Sequence, residues 1–169
     1  MAGHNIAFSA LWKSELLPFP EIADAHDNWI GLVLSAFGAW RIVPEIQTLY
    51  RQHDNNRSGM AKWSSAYHRA CIALRENRDE WNFRLYQTLI DRLQKSPQNC
   101  GDDVLLFAAK RRDYSLARKN LSRFFLKRFF PVTRLWLRGD YDRYGHGFVN
   151  VLQDLFLRSV FLPRELPRD

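Results

Sequence analysis

The stretch MAKWSSAYHRACIALRENRDEWNFRLYQTLIDRLQK, residues 60–95, carries the same signal twice. Trp63, Tyr67, Ala70 and Leu74 are spaced by four, three and four, while Trp81, Leu85, Leu89 and Leu93 recur every four. Side chains so spaced share one face of a helix, whereas a strand would place every second residue on the same side. The pattern predicts helices over Met60 to about Glu76 and Asp79 to Lys95.

Outward from these two, prolines and loop clusters divide the chain into segments of helical length, and strand-like alternation is scarce. A helix is expected over Ile6 to Leu17, ending before Pro18. A second is expected from Pro20 toward Val43, with Glu21 and Asp24 near its positive end. That segment is apolar nearly all round, so Trp29, Leu32, Val33, Phe37 and Trp40 are the expected core residues. Pro44 to Gln52 reads as a short helix and His53 to Gly59 as a loop. Asp102 or Asp103 is placed to cap a helix that begins at Val104. A basic stretch interrupted by Pro131 follows, then the loop RGDYDRYGHG at 138–147 and a last helix from about Phe148 to Phe161. The expectation is an all-α protein of six to eight helices, with one domain over residues 1–162 and a tail at 163–169.

The composition agrees with a folded globule of this kind. A chain of 169 residues can enclose one sizeable core. Its 46% hydrophobic and 14% aromatic content exceeds what a disordered basic chain carries. The two cysteines, Cys71 and Cys100, form no CxxC pair, which fits a reducing compartment. No secretory signal pattern is present at the N-terminus. The longest uncharged run, Asn28 to Trp40, falls short of the roughly 20 residues that a membrane span needs. A soluble, cytoplasmic protein with no membrane span is expected.

Charge is concentrated in one place. Residues 110–143 hold eleven Lys or Arg against three Asp, so this stretch accounts for the whole formal charge of +7. Projected as one helix from Tyr114 to Phe130, it places Tyr114, Ala117, Leu121, Phe124, Phe125 and Phe129 on one side. Arg112, Lys119, Arg123 and Lys127 form a ridge on the other. From Tyr114 to Gly139 there is no Asp or Glu to offset these cations, unlike a merely solvated helix with interleaved acids. Arg134, Arg138 and Arg143 extend the track, and Trp136, Tyr141 or Tyr144 could stack on unpaired bases. The ridge suits the phosphate backbone of DNA or RNA, with salt-dependent and mostly sequence-blind affinity. The expected role is non-catalytic, in a nucleoprotein complex with other protein subunits.

Three other readings fit the same residues. The basic face could dock an acidic protein, as an adaptor or inhibitor would. Phe129, Phe130 and Leu126 also suit a helix lying at a membrane surface. A small helical enzyme could use Asp140, Asp142 and His146 on the 138–147 loop to hold Mg²⁺ or move protons. The plainer account of those residues is that Asp and Gly are what a turn between helices uses. His68 and Cys71 stand three apart, with Cys100 and His53 elsewhere, which is too scattered for a zinc site. No phosphate-cradling loop, GxSxG or HExxH motif occurs, and Arg138, Gly139 and Asp140 match a known tripeptide by chance. No cofactor and no metal are expected.

Overall fold

The computed structural model describes residues 6–45, 77–98 and 100–158. Among them every regular element is helical and no strand occurs. A 3₁₀ turn, Ala10–Trp12, leads into α1 (Lys13–Leu16). Then come α2 (His26–Ala36), α3 (Arg78–Lys95), α4 (Asp102–Lys119), α5 (Phe125–Leu137), α6 (Asp140–Tyr144) and α7 (Phe148–Leu152). A π-helical turn, Gln153–Leu157, continues α7. The expected helices over Pro44–Gln52 and Met60–Glu76, the loop between them, and the tail lie wholly or largely outside the described residues.

The described residues fall into two compact units. The first holds 6–45, 84–98 and 100–110; the second holds 77–83 and 111–158. Helices α3 and α4 contribute to both.

In the first unit Leu16, Trp29, Ile30, Val33, Leu34, Leu85, Leu89, Ile90 and Leu93 are buried. The Trp29 indole donates to the Leu16 carbonyl at 3.1 Å, which satisfies its N–H inside the core. Arg92 on α3 donates to the carbonyls of Glu15, Leu17 and Pro18 and lies 5.7 Å from the Trp29 ring centre. These bonds tie the N-terminal segment to α3. Leu85, Leu89 and Leu93 are buried as their spacing predicts, with Trp81 half-buried.

Helix α2 is shorter than expected at both ends. Pro20 heads a separate turn, closed by Ala23 N–H to the Pro20 carbonyl at 2.9 Å, and the helix starts only after extended Ala25. It stops at Gly38, whose φ of +64° is the left-handed conformation that glycine adopts without penalty. Gly38 N–H bonds to Ser35 O at 3.1 Å and Ala39 N–H to Leu34 O at 2.9 Å, a Schellman ending. The expected core list is corrected accordingly. Trp29 and Val33 are fully buried, Leu32 and Phe37 are half-buried, and Trp40, beyond the stop, is 52% exposed. The first expected helix, Ile6 to Leu17, reduces to the 3₁₀ turn and α1.

The second unit encloses Tyr114, Leu121, Val132, Leu135, Tyr141, Tyr144 and Val151, with Leu155 packed against them. Tyr114 meets Tyr141 edge to face at 5.7 Å between ring centres, and Tyr144 at 5.8 Å. The 138–147 segment is a helix between two glycines: Gly139 has φ +70° and Gly147 φ +57°. Gly145 sits where any side chain would collide. A Cβ there would lie 2.5 Å from Asn150 Oδ1, 2.6 Å from Tyr114 Oη and 2.9 Å from the Tyr141 carbonyl oxygen.

Candidate nucleic-acid interface

The continuous basic helix from Tyr114 to Phe130 does not form. Helix α4 ends at Lys119, and α5 begins at Phe125, with Pro131 inside it rather than at a boundary. Asn120 and Ser122 supply the break, being residues whose side chains compete with helical hydrogen bonds; the Ser122 hydroxyl accepts from Phe124 N–H at 3.2 Å. Arg128 then holds the turn from within. It is 1% exposed, and its guanidinium donates to the carbonyls of Ser122, Arg123 and Leu155. Arg112, Lys119, Arg123 and Lys127 are therefore not four steps of one helix.

Three arginines are internal fittings. Asp154, fully buried in the π-helical turn, accepts from Arg118 Nε at 2.6 Å and Nη2 at 2.9 Å, from Arg158 Nε at 3.0 Å and from the Tyr141 hydroxyl at 2.8 Å. Asp79, at the start of α3, pairs with Arg118 at 3.0 Å and also with Arg158. Two carboxylates thus neutralise two guanidiniums away from water, the condition under which buried charge is tolerated. Burial alone would raise the Asp154 pKa, but the Arg118 charge and hydrogen bonds, then Arg158 and Tyr141, leave it below the ordinary value. Burial pushes the Tyr114 phenol up to about 12 although Arg118 opposes it. Tyr141 is driven up further, by burial first and by the Asp154 carboxylate second.

The expected binding residues divide against this background. Tyr141 is a correction: it is fully buried and bonded to Asp154, so its ring cannot receive a base, and Tyr144 is buried as well. Lys119 pairs with Glu80 and lies 5.4 Å from the Phe83 ring centre. Arg112 is half-buried and pairs with its neighbour Asp113 at 2.7 Å. Arg123 is half-buried in the turn before α5. Lys127, Arg134, Arg138 and Arg143 are exposed, Arg138 with Asp140 at 3.3 Å. Trp136 is half-exposed, 6.2 Å from Phe148 between ring centres.

Helix α5 orders the exposed group. Arg128, Val132 and Leu135 face inward. At 100° per residue, Lys127, Arg134 and Arg138 fall on one flank within a 40° sector. The Arg138 N–H bond to Arg134 O at 3.1 Å keeps Arg138 in helical register. The side opposite the buried one carries Leu126, Phe130 and Leu137, each about four-fifths exposed. Trp136 projects from the far flank. The ridge expected at 112–127 is replaced by a shorter one at 127–138 beside an apolar stripe.

The alternative loop site is spread thin. Asp140 is engaged with Arg138, Asp142 and His146 are exposed, and among the described residues no three His, Cys, Asp or Glu side chains gather as metal ligands. Cys100 is buried and in no disulfide among the described residues; His53, His68 and Cys71 lie outside the described residues. No described helix is long and apolar enough to cross a membrane. Compared with known protein families, with curated proteins and with solved structures, the chain matches none.

Proposed function

We propose that the chain is a non-catalytic nucleic-acid-binding subunit that grips the phosphate backbone of DNA or RNA through the α5 flank. The observation that carries the reading is the exposed alignment of Lys127, Arg134 and Arg138, with Arg143 on the following helix. Seven residues separate the first two and four the next, so their Cα atoms rise by about 10 Å and 6 Å along the axis. Long Lys and Arg stems can span such steps to reach successive phosphates. Among the described residues Arg138 pairs with Asp140 at 3.3 Å.

The test is salt-dependent binding of labelled DNA and RNA by wild type and by a variant carrying Lys127→Gln, Arg134→Gln and Arg138→Gln. If each cation neutralises about one phosphate, the log–log slope should flatten by nearly three units on a duplex or about two on a single strand. Thermal stability should change little, because exposed charges contribute at most about 1 kcal/mol each. Unchanged slope and affinity in a folded variant would remove α5 from the binding surface. The acidic-protein reading takes precedence if wild type binds no nucleic acid even at low salt.

A further inference from the structure

The Lys127 ammonium stands 5.7 Å from the ring centre of Phe124, the residue that precedes α5 and is mostly exposed. Three residues beyond Lys127 comes Phe130, 79% exposed; four further comes Arg134, and four more Arg138. Around α5 Phe130 lies at the edge of the apolar side, about 40° from Arg134 and about 60° from Lys127, so across these adjoining faces the order along the chain is ring, cation, ring, cation, cation. We infer that the partner is an unpaired strand, with Phe124 and Phe130 stacking on bases while Lys127, Arg134 and Arg138 hold the phosphates between them.

This inference rests on the nucleic-acid reading above and sharpens it. A single strand presents phosphates and π-faces alternately along its length, and an interleaved aromatic and basic track matches both at once. Rises of about 4.5 Å from Lys127 to Phe130 and about 6 Å from Phe130 to Arg134 are of the size of one nucleotide step in an extended strand. A duplex hides its base faces and would set phosphates against Phe130 and against the equally exposed Leu126 and Leu137. Desolvating phosphate over apolar side chains gains nothing, so the same surface that suits a single strand disfavours a duplex. Stacking reads no base edge, so binding should be nearly indifferent to sequence.

The experiment compares labelled oligo-dT and oligo-U with a duplex hairpin and an abasic strand of equal length, using the full chain at several salt concentrations. Wild type should favour the base-bearing single strands over both others. Phe124→Ala and Phe130→Ala should each weaken single-strand binding by about 5- to 150-fold, leave abasic binding unchanged and keep the wild-type salt slope. Phe124→Tyr and Phe130→Tyr should restore affinity, because the ring is what stacks. Equal or tighter duplex binding, or a Phe124→Ala, Phe130→Ala double variant with wild-type affinity, would overturn the single-strand inference and leave backbone binding standing. A larger loss from Leu126→Ala and Leu137→Ala than from the ring variants would also overturn it, by marking the stripe as a protein or lipid contact. Absence of binding to every oligonucleotide would overturn the nucleic-acid reading itself.

Discussion

Replacing Asp154 by Asn removes one charge from a closed set of four. In the native protein Asp154 and Asp79 face Arg118 and Arg158, and Asp154 accepts four hydrogen bonds with no exposed surface. In Asp154→Asn two buried guanidiniums share one carboxylate, and the amide nitrogen cannot accept where an oxygen did. Breaking a buried pair typically costs about 3–5 kcal/mol. The remaining amide oxygen can still accept, so the lower part of that range, about 3–4 kcal/mol, is expected. Against a total stability of about 5–15 kcal/mol, that is a severe loss. For a chain of this size it lowers the melting temperature by roughly 6–16 °C. Urea titration followed by circular dichroism, with calorimetric melts, measures both. Adding Arg158→Met should recover part of the loss by removing the uncompensated cation. The pH dependence supplies a second reading. Because the folded pKa of Asp154 lies below its unfolded value, its stabilisation is complete above the ordinary aspartate pKa of about 3.9 and is lost as pH falls through the folded value. The gap between wild type and Asp154→Asn should therefore narrow only in strong acid. A loss below about 1 kcal/mol near neutrality would refute the reasoning, since that is the scale of an exposed pair.

At the alkaline end, Tyr114 and Tyr141 have folded pKa values above the unfolded value of about 10, so their contribution is complete below pH 10 and declines above it. Absorbance titration should find two phenols silent until the protein unfolds. Gly145→Ala should cost about 1–3 kcal/mol in urea titration, because its Cβ has nowhere to go among Asn150, Tyr114 and Tyr141. Trp29→Ala should cost about 3–5 kcal/mol and Trp40→Ala much less than that, whereas similar costs at both would mean that α2 continues past Gly38 and buries Trp40.

Helix identity was legible where the apolar period was long and uninterrupted. Helix α3 begins within one residue of its expected start, with Leu85, Leu89 and Leu93 inward. Boundaries were less legible because they depend on local hydrogen bonds that periodicity ignores. Gly38 ends α2 inside an apolar run that continues to Trp40, so periodicity alone carries the helix past it. The break at Asn120–Phe124 was harder to find. It relies on Arg128, six residues after Ser122, turning inward to take carbonyls that a continuous helix would have used itself. Arg128 carried no sequence signal for that role beyond lying off the cationic ridge.

The candidate site was only partly legible in the sequence for one physical reason: acids that compensate its cations lie outside the basic stretch. From Tyr114 to Gly139 there is indeed no acid, but Glu80 reaches Lys119, and Asp79 and Asp154 reach Arg118 from 39 and 36 residues away. An i,i+4 search cannot see such pairs, because the fold and not the helix brings them together. The same fact narrows what remains. Once Arg118 and Arg128 are assigned to the interior and Lys119 to Glu80, the exposed cations from α5 onward in the stretch are Lys127, Arg134, Arg138 and Arg143, on or just beyond the helix that also exposes Phe130 and follows Phe124, with Lys110 exposed on α4. The large apolar rings that stand among those charges are the basis of the single-strand proposal. The internal network and the α5 track thus make opposite demands on the same residue types. Removing a buried arginine should destabilise the protein while leaving the affinity of the folded fraction unchanged, and removing an exposed one should change affinity with little effect on stability.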